Sequence, residues 1–278
     1  MTTLINIELF KIFKKWRTYI GFIAVALLVL VIQLAISISG RDATSGLTGQ
    51  LSDSFIMVGN LLNGYFVSYM ILNSIIVNVP FLIVLVAGDM LAGEATAGTY
   101  RILLTRPVSR FQVVLSKFLT SIIYSYMLIF WLAILSFVLG IILFGTGELI
   151  VLQNGLIIFA KDDIIWRFIL AYFMAGLSMC TVAALAFFFS SLVENAIGPI
   201  ITAMAIIIVF AIISAIPIDF FQTIKPYLFT NYLFSWRLFF DDSLNYVEII
   251  KSLSVLLGHI LVLFGITAYI FEKKDILT

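Results

Sequence analysis

Six long apolar runs without a central charge divide this chain of 278 residues and leave it almost no choice of solvent. They cover residues 18–39, 65–88, 113–144, 164–190, 196–216 and 249–271, each matching the ~20 apolar residues that carry a helix through a bilayer. In hydrocarbon every backbone N–H and C=O must be paired internally, and runs this long without two-residue alternation exclude barrel strands. The third run is long enough to tilt or to protrude. The expected fold is all-α: a polytopic membrane protein with six transmembrane helices, forming a single transmembrane domain over residues 1–278. Composition agrees, since charged residues make up 11% of the chain against about 25% in soluble domains.

An even number of spans puts both termini on one side. Lys11, Lys14, Lys15, Arg17, Arg101, Arg106, Arg110, Lys117, Lys273 and Lys274 then share that side, leaving six of the 16 basic residues and nine of the 15 acids opposite. The positive-inside rule places the richer side, and both termini, in the cytoplasm of a cell (inner) membrane. A formal charge of +1 without a basic face argues against nucleic acid as a partner.

Residues 2–17 read as an amphipathic helix ahead of the first span. Ile5, Leu9, Ile12, Phe13 and Trp16 share one face, with Glu8, Lys11 and Lys15 on the other. Such a helix lies in the inner interface with its lysines toward anionic lipid headgroups. The run at 18–39 is too long for a cleaved leader, so an anchor is favoured. The outer segment 40–64 opens on the turn-rich "GRDATSGLTGQ" and continues into a stretch able to form a second interfacial helix. The outer segment 217–247 is rich in Phe, Tyr and Trp, which suits short helices at the headgroup belt.

The spans lack self-contained chemistry. A gradient-driven carrier keeps ionisable groups near the midplane, and here those depths hold none but His259, expected to hydrogen-bond between helices. One histidine rules out an HExxH pair, and no Walker A loop is present. Cys180, the single cysteine, reads as inert packing. Ser68, Asn73 and Asn78 in the second span, ahead of a kinking Pro80, are open to two readings: interhelical hydrogen bonds or a pathway wall.

The densest charge, "GEATAGTYRILLTRPVSR", lies between spans two and three. Gly93, Ala97 and Gly98 allow a tight break after the second span, and "TYRILL" can form a helical turn. Pro107 suits the first turn of the next helix with Thr105 as its cap. Arg101, Arg106 and Arg110 meet water or a partner's acids, while Leu103 and Leu104 offer apolar anchors.

Gly93-Glu94, Gly98-Thr99, Leu103-Leu104, the run Arg106-Pro107-Val108-Ser109-Arg110 and Lys117 together resemble the segment between spans two and three of the permeases of the ABC type 2 (ATP-binding-cassette) class, six-span single-domain subunits. The amphipathic elbow helix, the short inner turn at 191–195 and the basic tail resemble that class too. The resemblance implies a permease subunit of an exporter that pairs with a second permease copy (homodimer or paralogue) and with a separately encoded cytoplasmic ABC ATPase. Segment 89–112 would hold the coupling helix resting on that ATPase, with the turn at Glu194 a second contact. Glu94 and Arg101 would make charge-assisted contacts to it. The chain itself would be no enzyme and hold no cofactor, ATP and Mg residing in the ATPase. Alternatives are a transmission or assembly subunit that drives an extracytoplasmic protein docked on 40–64 or 217–247, and a passive channel or gradient-driven carrier.

Overall fold

The computed structural model describes residues 1–52, 62–99, 108–153 and 156–274. Among them, six helical stretches are long and apolar enough to cross a membrane: Trp16–Ile38, Val79–Thr96, Arg110–Phe144, Lys161–Leu192, Ile197–Ala215 and Tyr246–Lys273.

Helix α1 (Thr2–Lys14) leads, after a break at Lys15, into α2 (Trp16–Ser52). The loop expected from residue 40 does not begin there, because α2 runs on to Ser52. A glycine within a helix costs about 1 kcal/mol, whereas an early stop strands four carbonyls. The proposed second interfacial helix falls on residues 53–61, outside the described residues.

The second apolar run is not one rod. It forms α3 (Gly64–Ile75), a turn at 76–78, α4 (Val79–Ala87) and α5 (Asp89–Thr96). Pro80 explains the first break, since it lacks an N–H for the Ile76 carbonyl and its ring crowds that oxygen. The third run is α6 (Arg110–Phe144), 35 residues long. Ser109 caps it: its hydroxyl accepts from Gln112 N while the Gln112 side chain accepts from Ser109 N. This reciprocal box satisfies two orphan donors at the start of the helix, while the expected cap Thr105 and Pro107 lie outside the described residues.

A β-hairpin follows, β1 (Leu149–Leu152) paired antiparallel with β2 (Leu156–Phe159) in the register Leu149 to Phe159. It modifies an otherwise helical fold. Then come α7 (Lys161–Leu192) and α8 (Ile197–Ala215). The segment before the last span holds α9 (Asp219–Ile224) and 3-10 turns at Lys225–Tyr227, Phe229–Tyr232 and Ser235–Phe240. Helix α10 (Tyr246–Lys273) closes the fold.

Helix α7 occupies the centre, with 83% of its most apolar window buried against 17% for α8. Ala175, Gly176, Ser178, Ala183 and Ala186 keep it narrow, so α6, α8 and α10 pack closely around it. Cys180 is buried there, as expected of a packing residue.

Helices α3 and α6 meet through small residues spaced four apart on each: Gly64 and Ser68 against Ser136 and Gly140. The Ser68 hydroxyl lies 2.7 Å from Gly64 O and 3.0 Å from Ser136 O. Gln33 Nε2 donates to the same Ser136 carbonyl, and Ser136 Oγ lies 2.7 Å from the Tyr172 hydroxyl. One serine thus ties four helices together.

The aromatics of 217–247 divide. Phe220 and Tyr227 are exposed as a headgroup belt requires, but Phe229, Tyr232, Trp236 and Phe240 enter the core, where Phe240 stands edge-on to Tyr69 and Phe168. Arg167 holds them in: its Nη1 donates to the carbonyls of Phe239 and Asp241 at 2.9 Å each, and its Nε to Asp163. Burying each ring withdraws 150–250 Å² from solvent, which a surface site would forgo. His259 bonds within its own helix, Nδ1 to Val255 O at 2.8 Å, with its ring beside Phe229. The bond expected between helices is thus made to the i−4 carbonyl of its own helix.

Candidate functional site

The charged face of α1 does not look outward. Glu8 is buried, and Lys117, on an otherwise apolar helix, is 1% exposed. Lys117 Nζ lies 2.6 Å from Glu8 Oε2 and 3.0 Å from Glu94 Oε1. Lys11 Nζ closes the square, 2.8 Å from Glu8 Oε1 and 2.9 Å from Glu94 Oε1. The Thr99 hydroxyl donates to the remaining Glu94 oxygen. Two carboxylates and two ammoniums therefore alternate, joining α1, α5 and α6.

A second knot lies beside it, where Asp89 takes Lys15 at 2.7 Å and Arg17 at 3.1 Å. Lys11 and Lys15 were expected at lipid headgroups, and the structure turns them to protein acids instead. At contact distance in a half-buried site, a carboxylate attracts far more strongly than charges screened by solvent. Burial works to lower the Lys11 pKa, but the hydrogen bonds to Glu8 and Glu94 outweigh it and hold it above the ordinary lysine value. The face of α1 left exposed carries Ile7 and Phe10, with Trp16 just beyond.

Helix α5 is tied to α7 as well. Ser190 Oγ accepts from both Leu91 N and Ala92 N, at 3.0 and 2.9 Å. The Thr96 hydroxyl lies between Ala92 O and Glu194 O, 2.9 and 2.8 Å away. The break after the second span comes at Gly98, whose φ of 64° is in the left-handed region natural to glycine. Gly93 lies inside α5, packed under the Asp89 carboxylate. Ser190→Ala removes the two hydrogen bonds that its hydroxyl accepts from Leu91 N and Ala92 N and should cost about 0.5–1.5 kcal/mol. Faster hydrogen exchange of residues 89–97, read by mass spectrometry, is the expected signature.

At the start of α6, Arg110 Nη1 donates to Lys274 O and Glu272 O, and Lys274 Nζ to Ser191 O. The N-terminal helix, the connection between spans two and three, the turn at 193–196 and the end of the last span thus share one end of the bundle. Of the residues singled out from sequence, Gly93, Glu94, Gly98, Thr99, Ser109, Arg110 and Glu194 gather here. Arg101, Leu103, Leu104, Arg106 and Pro107 lie outside the described residues. Glu94, expected to reach a partner, spends its carboxylate within the chain. Glu8, Lys11, Asp89 and Ser190 were missed as members. A signal existed, because Lys117 within a span needs a carboxylate, and Glu8 and Lys11 lie on one face of α1.

The three candidate wall residues separate. Ser68 is consumed between helices, Asn73 Oδ1 accepts from Arg237 Nη2, and Asn78 is exposed. No group of three His, Cys, Asp or Glu side chains among the described residues could hold a metal ion. What the charged end holds is a set of ion pairs that cross-links α1, α5 and α6.

A profile of the ABC-2 family transporter proteins matches residues 2–276. The uncharacterized protein YhcI of Bacillus subtilis (strain 168) is 28% identical over 208 residues, which is 69% of this chain and 63% of the relative. The chain thus aligns with less than two thirds of that relative's length. With six bilayer-length helices and a family match over nearly the whole sequence, the chain belongs to the ABC-2 family of transporter proteins and is a membrane permease of that family.

Proposed function

We propose that this permease is the membrane subunit of an ATP-driven exporter, working as a pair of permeases with two copies of a separate cytoplasmic ATPase. The termini and the segment 89–112 face the cytoplasm. The ATPase grips the stretch around Arg101, Leu103, Leu104 and Arg106, with the exposed Glu194 turn as a second contact. Its closure pushes α5, and the pushed helix carries α1, α6 and α7 with it.

The observation that supports this reading is the ion-paired square of Glu8, Lys11, Glu94 and Lys117, which makes one unit of three helices directly beside the coupling stretch. Glu94 acts inside that joint and the arginines act on the partner. Such a joint suits force that arrives from outside the bilayer. A second reading, transmission of the same stroke to an outer protein without solute transport, draws on the apolar outer surface at Ile158, Phe220 and Tyr227.

Reversing Arg101 and Arg106 to glutamate together is the test. Loss of at least tenfold in ATPase pulldown is expected, each charge-assisted contact contributing about 1.5–3 kcal/mol, with membrane insertion retained. An unchanged pulldown, or transport by the purified chain without any ATPase, overturns the proposal.

A further inference from the structure

The turn at 76–78 interrupts the second apolar run between α3 and α4, directly ahead of the bilayer-length stretch Val79–Thr96. Ser74, Val77 and Asn78 are exposed. Asn78 Nδ2 lies 3.5 Å from Ser74 O. Irregular backbone within a membrane protein faces protein or a water-filled cavity.

One turn before the break, Asn73 accepts from Arg237, which the outer segment carries inward. The Arg237 guanidinium carbon lies 4.8 Å from the Phe234 ring centre and 5.7 Å from that of Trp236. Among the described residues it forms no ion pair, and Asn73 Oδ1 is its protein acceptor. Its Nε is buried without an acceptor, and so is Nε1 of Trp236. Arg167, at the same end of the bundle, has a carboxylate and two carbonyls. Arg237 therefore stands apart as a cation cradled on two rings in a neighbourhood rich in donors and short of acceptors. Partly buried charges in a membrane protein are paired or line a pathway.

We propose that Arg237, Asn73 and Trp236 form a binding site for an oxyanion, a carboxylate or phosphate group, close to the turn at 76–78. The site recognises the charged group of the cargo. This rests on the reading of the chain as a permease. The planar guanidinium matches two oxygens at once, and the indole N–H supplies a third donor.

The test uses the full chain in phosphatidylcholine nanodiscs with 5-fluorotryptophan, the Trp236 resonance being assigned by its loss in Trp236→Phe. Inorganic phosphate is titrated in one arm. In the other, phosphatidylglycerol replaces part of the lipid. A saturable shift of the Trp236 signal with phosphate supports the site with a soluble source, and a shift with phosphatidylglycerol alone supports it with a lipid headgroup as source. Asn73→Asp supplies the missing carboxylate from within and should abolish either shift while leaving the thermal midpoint close to that of the native chain. Arg237→Lys keeps the charge without the fork and should weaken binding about tenfold, carrying the test if the aspartate variant does not fold. No shift in either arm, or an undiminished shift in both variants, overturns the proposal. The assay contains no ATPase, so its failure is separate from failure of the Arg101 and Arg106 pulldown.

Discussion

Lys117→Met should destabilise the protein by about 3–5 kcal/mol, the largest effect expected of any single side chain in it. The ammonium is 1% exposed and touches two carboxylates, Glu8 and Glu94. Methionine fills the same volume but leaves both acids buried together, with only the half-exposed Lys11 between them. Desolvation that the square offsets by mutual attraction then falls on like charges. Adding Glu8→Gln to Lys117→Met removes one stranded charge and should recover a large part of the loss, a sign reversal that a purely steric role for Lys117 does not produce. Thermal unfolding in nanodiscs reads both variants. A single variant within about 0.5 kcal/mol of the native chain would mean that water already reaches these acids.

Gly64→Val should be nearly as damaging, for a different reason. A Cβ placed there would lie 2.7 Å from Gly140 C and from Ile141 N, and backbone cannot turn aside as a side-chain tip does. Helices α3 and α6 must separate, which breaks the Ser68 bond to Ser136 and loosens the contact that small residues make in a bilayer. Overpacking of this kind costs about 1–3 kcal/mol and sometimes more. A cysteine pair across α3 and α6 should lose its crosslinking efficiency in the variant. Gly258→Ala is the control, because nothing lies within 4 Å of its Cβ, and it should be close to neutral.

Much of this architecture is legible in the chain because a bilayer imposes one rule on every span. Hydropathy alone finds the six runs, and charge asymmetry gathers Lys11, Arg110, Lys117 and Lys274 at one end, where the structure also puts them. Pro80 announces the break it causes. What escapes is what depends on partners distant in sequence. No period in residues 2–17 says whether Lys11 faces lipid or Glu94, since the answer lies in a helix eighty residues away. The belt of aromatics reads alike whether Trp236 floats or is buried, until Arg167 is seen to hold its segment inward. The hairpin was a missed signal of another kind: "LIVLQNGLIIF" sets Asn-Gly between two β-formers, and the length of the apolar runs on either side obscured it. Within the site, Glu94 has intramolecular contacts to Lys11, Thr99 and Lys117 in place of the partner contact expected of it.

The enclosure of α7 bears on how the protein is made. Synthesis delivers α2 to α6 first, α7 next, and α10, a principal neighbour of α7, last. Until α10 arrives, the flank of α7 that it covers meets lipid. A nascent chain cut short before Tyr246 keeps that flank open for good, marking the truncated product for membrane quality control.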